Sequence, residues 1–495
     1  MFTWALAAGA VLRLFAILGY PGALWFAGDS YVYVGAALRP EPDPSKSTGY
    51  SLFLQLLLPF HSFTLVTAVQ HLMGLAVAVM IYVLLRRGGV SKTWSAVATL
   101  PVLLDGYIIE DEHLIMAESL FTFLLMAAML LLLWRPGPVR LWVLVIAGLL
   151  AGYAAVVRTE GAVMLAVLPL FLLLHCCAWK TVRGWVAAIT LLVASLVPVG
   201  AYASWFHSRT GQYDMTLSTG FYLWGRVSSF ANCAVIKPTG AEAAICPTDP
   251  PSERTPPGNY IWHATVLHAT PKHPYSPVTP ANNTILTDFA IHAIEAQPLD
   301  YAKTVFFNTM MSFGFPRIGY PSVDTANYYS FHLHYKTSTY DLLPPNDHNW
   351  VLPEKDTAYA DWLSYGHQAP GVVDRVFAVP IVLYQRVVFT YGPLLALIFL
   401  VGLGGVIGVR RQGRRVRSLR LHWSRRGTTM LPWLSAVALL VAPIAVADFD
   451  YRYLLPVIPF ACLAAGLAFA PRRTAATPAA ASPATVESPI SDSVS

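Results

Sequence analysis

Long apolar runs separated by short charged stretches dominate the chain. Runs near 20 residues that end at Arg or Lys read as membrane-spanning helices. Ten spans are predicted, over residues 4–20, 64–85, 93–109, 116–134, 141–157, 161–179, 184–206, 383–409, 430–447 and 454–470. The apolar stretch 50–60 is too short to cross and is predicted to be interfacial or re-entrant. Residues 207–377 break the pattern. They are polar, rich in Pro, Tyr, Trp, Asn and His, and hold no spanning run. They are long enough for a domain or an elaborate lid. From residue 474 the chain is Ala-, Ser-, Pro- and Thr-rich and is expected to be disordered.

The predicted fold class is an all-α polytopic membrane protein. Residues 1–206 form a module of seven spans, 207–377 a large extracytoplasmic loop or domain, 378–473 a module of three spans, and 474–495 a cytoplasmic tail. Composition supports this over a set of soluble domains. The 495 residues are 55% hydrophobic and only 12% charged, with mean hydropathy +0.51. Soluble domains carry about 25% charged residues.

Charge then orients the chain. The net charge of +6 is not a nucleic-acid signal, because much of it sits in one short loop, 410–426. In a ten-span arrangement Arg86, Arg87, Lys92, Arg135, Arg140, Lys180, Arg183, that loop, Arg472 and Arg473 share one side. The positive-inside rule makes that side cytoplasmic. Both termini then lie inside, while Asp29, Asp111, Asp450 and residues 207–377 face outward. Met1 has no charged region behind it and Arg13 interrupts the first run, so that run is expected to be retained. Cys176, Cys177 and Cys462 fall in membrane runs. Cys233 and Cys246 fall in the outward loop, where an oxidising compartment permits a disulfide between them. No Cys/His spacing resembles a zinc site.

Candidate chemistry gathers on the outward side. Asp29 lies in Ala27-Gly28-Asp29-Ser30-Tyr31-Val32-Tyr33, just after the first span. As an ordinary residue it would cap a helix. As a functional one it is a general base, or an anchor for a sugar hydroxyl, at the bilayer surface. Glu110-Asp111-Glu112-His113 is dense charge between apolar neighbours, a solvated hairpin or a desolvated acidic site. Function is favoured for one of Asp111 and Glu112. Arg39 and Lys46 are either headgroup anchors or phosphate contacts, and Arg158, an outward arginine between two apolar runs, is expected to have an anionic partner. Glu160 is the bland partner for Arg158. Asp448–Tyr453, with Asp450, Arg452 and Tyr453, is a helix start or the rim of a substrate cavity; Tyr31, Tyr33 and His113 are the other rim candidates. No G-x-S-x-G, Walker A or H-E-x-x-H motif occurs, so a cytoplasmic nucleotide-sugar donor is disfavoured.

These stretches, taken in order, resemble the GT-C superfamily of membrane glycosyltransferases, in particular bacterial relatives of protein mannosyltransferases and of the lipid A aminoarabinose transferase. The matching pieces begin with Arg13, Asp29 with Tyr31, and Lys46 before Gly49-Tyr50-Ser51-Leu52-Phe53. Glu112 with Glu118-Ser119-Leu120 and Val157-Arg158-Thr159-Glu160-Gly161 follow. Ala293-Ile294, Pro298, Tyr301 and Arg452-Tyr453-Leu454-Leu455-Pro456 with Pro459 complete the series. Residues 231–283 match nothing. Asp29-Ser30 replaces the usual Asp-Glu, and Arg158-Thr159 the usual Arg-Pro.

The resemblance implies a GT-C-like bundle in a bacterial plasma membrane, with its active site on the extracytoplasmic face. The donor would be a polyprenyl-phosphate sugar and the acceptor a cell-envelope glycan, lipid or protein. Asp29 would act on the acceptor, with Arg158 and Lys46 or Arg39 on the phosphate. Membrane lipids are the other expected partners, and no nucleic acid is. No cofactor is firmly expected, although the acidic groups leave room for a divalent metal. The rivals are a lipid or sugar transporter or flippase, which predicts internal repeats and broken helices, and a non-catalytic cell-envelope assembly protein.

Overall fold

The computed structural model describes residues 1–134, 139–262, 278–315, 317, 319–333, 355–367, 373–407 and 423–471. Arg135, residues 410–422 of the basic loop, Arg472, Arg473 and the predicted tail lie outside the described residues, as do the side chains of Cys176 and Cys177. Among the described residues the chain is helical and has no β-strand; one isolated bridge pairs Leu24 with Leu114.

The N-terminal half runs through α1 (Phe2–Gly19), α2 (Ala27–Leu38), α3 (Gly49–Leu57), α4 (Phe63–Arg87), α5 (Lys92–Val97), α6 (Leu100–Leu104) and α7 (Gly106–Asp111). It continues through α8 (Glu118–Leu133), α9 (Leu141–Val157), α10 (Ala162–Leu174) and α11 (Val182–Thr210). Residues 207–377 hold α12 (Thr219–Ser228), α13 (Cys233–Ile236), α14 (Ala241–Ala244), α15 (Pro257–Trp262), α16 (Pro280–Ala296), α17 (Pro298–Met311), α18 (Val323–Tyr328) and α19 (Lys355–Gly366). The C-terminal part comprises α20 (Arg375–Gln385), α21 (Gly392–Ile407), α22 (Trp423–Val446) and α23 (Val457–Leu467).

Among the described residues four helices are long and apolar enough to cross a membrane: Phe2–Gly19, Phe63–Arg87, Val182–Thr210 and Thr428–Val446. They coincide with the first, second, seventh and ninth predicted spans. Seven shorter apolar helices of 10–17 residues accompany them. The third and eighth predicted spans are not single helices. Residues 93–109 break into α5, α6 and α7, and 383–409 breaks between α20 and α21.

The two breaks complete each other. Pro101 opens α6, and the Asp105 carboxylate caps α7 by accepting from Tyr107 N (2.9 Å). Its other oxygen accepts from Thr390 N (2.7 Å), in the gap between α20 and α21. Gly106 N donates to Val388 O (2.9 Å), and Tyr384 Oη donates to Leu104 O (2.6 Å). Irregular backbone within apolar surroundings needs such internal partners, and here each break supplies them to the other.

Helix α9 packs against α8 and α11. Its approach to α11 depends on Gly148 and Gly152: a Cβ would stand 2.6 Å from Leu191 O at the first and 2.0 Å from Ser195 O at the second. Small residues four apart let membrane helices come close enough for dense packing. The segment after α11 has its own core, in which Tyr202 and Phe206 of α11 meet Phe221 and Trp224 of α12 and Leu286 and Phe289 of α16. Cys233 and Cys246 are joined by a disulfide. Trp224 Nε1 reaches Ile245 O beside it (3.0 Å), tying the bridged loop to that core.

Candidate functional site

Asp29 sits in the first turn of α2, yet does not cap it; the N-cap is Phe26, without a side-chain cap. The carboxylate is committed elsewhere. Lys46, from the segment between α2 and α3, pairs with one oxygen. Arg452 Nη1 pairs with the other at 2.9 Å, from 423 residues away in sequence. Burial pushes the Asp29 carboxyl up, but the Lys46 ammonium and Arg452 guanidinium outweigh it, so the group lies well below the usual carboxylate range.

The turn that carries Arg452 is shaped by aspartates. Asp450 accepts from Arg452 N (3.1 Å) and starts the turn Tyr451–Leu454, so its expected capping role is real. It also takes the Tyr329 phenol (3.2 Å) and approaches Arg452 Nε (3.5 Å). Burial raises the Asp450 carboxyl above its ordinary value, and Arg452 offsets this only in part. Asp448 points away, into Arg226 (3.3 Å), Tyr320 Oη (2.8 Å) and Gly258 N (3.0 Å). It therefore ties α12, α15 and Tyr320 to the turn that follows α22.

Arg158 stands at the end of α9, over the Tyr453 ring at 5.8 Å. It pairs with Glu160 (3.1 Å), the partner expected, and also with Glu118 in the first turn of α8. Tyr33 lies among these groups: the Lys46 ammonium is 5.9 Å from its ring, and the charges of Asp29, Arg158, Glu118 and Arg452 all act on it. Tyr222 feels Asp29, Tyr453, Arg452 and Glu160. Asp111 is buried nearby, under the influence of Glu118 and Arg158, and its Oδ1 has no hydrogen-bond partner.

The structure thus brings together Asp29, Lys46, Arg158, Asp450, Arg452, Tyr453, Tyr33 and Asp111. It separates four other candidates. Arg39 forks onto Asp361 of α19 at 2.6 and 2.5 Å, with its side chain 57% exposed. Tyr31 packs on Trp25 (4.8 Å), which stacks on Trp362 (4.3 Å), so it belongs to the seam between α2 and α19. Glu112 and His113 belong to a second buried network. Arg13 forks onto Glu112 at 2.7 Å through both nitrogens, and His71 Nδ1 lies 2.8 Å from the same carboxylate. His113 bridges His71 (3.1 Å) and Tyr20 O (2.9 Å). Gly74 of α4 makes room, since a Cβ there would collide with the Glu112 carboxylate.

Glu118, Tyr222 and Tyr329 were not singled out as site residues. An acid opening a spanning run is a signal that pointed to Glu118; the two tyrosines carry none. Four carboxylates (Asp29, Glu118, Glu160, Asp450) face three cations (Lys46, Arg158, Arg452) in the centre. Among the described residues no group of three or more His, Cys, Asp or Glu side chains is arranged to hold a metal ion.

No protein-family model and no curated protein matches the chain. Among solved structures it is similar to the oligosaccharyltransferase of Archaeoglobus fulgidus in its apo form, with 12% identity over 93% of this chain and 50% of the other, at TM-score 0.39. It is also similar to that enzyme tethered to an acceptor peptide containing the NVT sequon, with 11% identity over 94% and 49% of the two chains and TM-score 0.40. A third likeness is to the archaeal oligosaccharyltransferase AglB from Archaeoglobus fulgidus with an inhibitory peptide and a dolichol-phosphate, with 11% identity over 94% and 50% and TM-score 0.40. The chain spans about half the length of these proteins. A likeness at this level carries no argument about activity, which must come from the site.

Proposed function

We propose that the chain is an integral-membrane glycosyltransferase of GT-C type. It moves a sugar from a polyprenyl-phosphate donor to an acceptor on the extracytoplasmic face of a bacterial plasma membrane. One observation carries the reading: Asp29 is held between Lys46 and Arg452, two cations from distant parts of the chain, in a buried centre that also contains Arg158. A carboxylate beside two cations suits the transfer of a group off a phosphate.

In the resting site Asp29 is a weak base, because both cations stabilise its charge. A donor phosphate competes for those cations. As Lys46 and Arg452 turn toward it, Asp29 loses its partners and becomes more basic where an acceptor hydroxyl must lose its proton. The acceptor oxygen then bonds to the anomeric carbon, its proton goes to Asp29, and the carbon–oxygen bond to phosphate breaks. The electron pair leaves on the phosphate oxygen, which the cations stabilise, so no separate acid is needed. Arg158 is fixed by Glu118 and Glu160 and orients the site through Tyr453.

The transporter reading gains from the two broken helices. Yet the backbone groups at Asp105–Gly106 and Val388–Thr390 are engaged with one another and not turned to an ion. Turnover of a polyprenyl-phosphate sugar by purified protein in detergent, with Asp29→Asn alongside, is the deciding experiment. Sugar release that depends on protein and on Asp29 is expected. Equal turnover by the variant removes the mechanism, and movement of intact donor across proteoliposomes without turnover favours the transporter.

A further inference from the structure

A line of aromatic rings leads from the apolar surface to the Asp29 centre. It starts at Phe315, just after α17, which is 68% exposed. Phe315 stacks on Tyr391 (5.7 Å), Tyr391 contacts Phe389 (4.0 Å), and Phe389 meets Tyr107 edge-on (5.4 Å). The Arg317 guanidinium then lies over Tyr107 at 3.5 Å and over Tyr451 at 4.4 Å. Tyr451 precedes Arg452, which holds Asp29.

The outer end of this line continues into other exposed apolar side chains. Phe306, Phe307 and Met310 of α17 are exposed, as are Leu394 and Leu397 of α21. An exposed apolar patch of this kind, beside the apolar helix α21, suits acyl chains. The inner end differs. Arg317 has no hydrogen bond or ion pair among the described residues, and acts on Glu110 and Asp450 only through space. Glu110 is itself fully buried, with neither carboxylate oxygen hydrogen-bonded. Two rings clamp the guanidinium by its faces and leave its N–H edge for an anion. An apolar path that ends at a cation with no ion pair among the described residues fits a ligand with a long apolar tail and an anionic head.

We propose that this track binds the isoprenoid chain of a polyprenyl phosphate, and that Arg317 is the first cation its phosphate meets on the way to Lys46 and Arg452. The proposal rests on the glycosyltransferase reading and specifies how its donor reaches the site from the bilayer.

The test is equilibrium binding of a polyprenyl monophosphate, without sugar, to the full chain in phosphatidylcholine nanodiscs. Neutral polyprenol and phosphatidylglycerol serve as comparison ligands. Arg317→Gln should weaken monophosphate binding about ten- to a hundredfold, the worth of a charge-assisted contact, and leave polyprenol binding unchanged. Arg317→Lys should restore part of it. Phe315→Ala, at an exposed position that the fold does not need, should weaken monophosphate and polyprenol alike. Equal monophosphate binding by wild type and Arg317→Gln overturns the proposal. So does phosphatidylglycerol competing as well as the monophosphate, which would assign the face to bulk lipid. Wild-type protein that binds no monophosphate removes the glycosyltransferase reading as well. Unchanged binding in Arg317→Gln, with turnover lost in Asp29→Asn, removes the track alone.

Discussion

Two buried ionic clusters lie close together in this protein, each built around an arginine–carboxylate pair and wired in opposite ways. In the first, Arg13 of α1 forks onto Glu112, His71 of α4 takes the same carboxylate, and His113 closes onto Tyr20. Arg13 and Glu112 are each 2% exposed, and the remaining guanidinium N–H groups go to Leu103 O and Gly9 O. Nothing is left over for a ligand. In the second, Asp29 is shared by two cations, Arg452 is shared by two carboxylates, and Glu118 and Asp111 retain oxygens without hydrogen bonds. Its members come from loops and helix ends. A closed cluster fixes helices in place; an open one can change partners. Both clusters pair arginine with carboxylate, but the Arg13 and Glu112 side chains are 2% and 3% exposed against 16% and 13% for Arg452 and Asp29, and only the first has its groups fully satisfied.

The sharpest way to break the comparison is to remove one carboxylate from each. Asp29→Asn keeps the shape and removes the base, so turnover should fall by about 10²–10⁴-fold, with Arg452 still held by Asp450. The measurement is single-turnover sugar release at saturating donor. Glu112→Gln should do the reverse. It leaves Arg13 buried without its counter-charge, which costs about 3–5 kcal/mol, so thermal unfolding in detergent should move down strongly. Whatever protein stays folded should turn over nearly as wild type does. Large turnover loss in folded Glu112→Gln, matched by normal rates in Asp29→Asn, would exchange the roles assigned to the two clusters.

Arg158→Lys is a smaller change within the open cluster. The guanidinium bridges Glu118 and Glu160 at once, and an ammonium cannot fork in that way. Donor KM should rise about tenfold, with kcat changing less, since one charge-assisted contact is loosened and not removed. A fall in kcat at unchanged KM would instead place Arg158 against the reacting atoms.

How much of this could be read from the chain follows from distance along it. The spans at 64–85 and 184–206 were legible because an apolar run is a local property. The bridge between Cys233 and Cys246 was legible because they are the two cysteines expected to share the outward loop. The breaks were not, because Asp105 is satisfied by Thr390, 285 residues later. Arg39 looked like a phosphate contact only because Asp361, 322 residues away, could not be foreseen as its partner. The same limit put Arg452 on a rim when it grips Asp29. Glu112 was chosen for its crowded acidic neighbours. Arg13, its real partner, was visible as an arginine inside a span, with nothing in sequence to join the two.

The smallest expected effect is a shift in pH dependence, and its sign follows from the cations around Asp29. In the free protein Lys46 and Arg452 hold that carboxyl below its ordinary range. The stability this contributes is fully present above the unfolded carboxylate value, near 4, and is lost as pH falls toward the folded one. Catalysis needs Asp29 ionised. The acid limb of kcat/KM reports the free protein and should therefore lie below the ordinary carboxylate range. If donor phosphate draws Lys46 and Arg452 away, Asp29 regains basicity in the complex. The acid limb of kcat, which reports that complex, should then lie at higher pH than the limb of kcat/KM. The closed cluster predicts no such separation, because no ligand competes for its partners. Profiles of kcat and kcat/KM over the acid range, taken on wild type and on Lys46→Gln, test this. The variant should narrow the gap by raising the kcat/KM limb. Superimposed limbs in wild type would mean that the cations stay on Asp29 throughout, leaving it an electrostatic anchor and not the base.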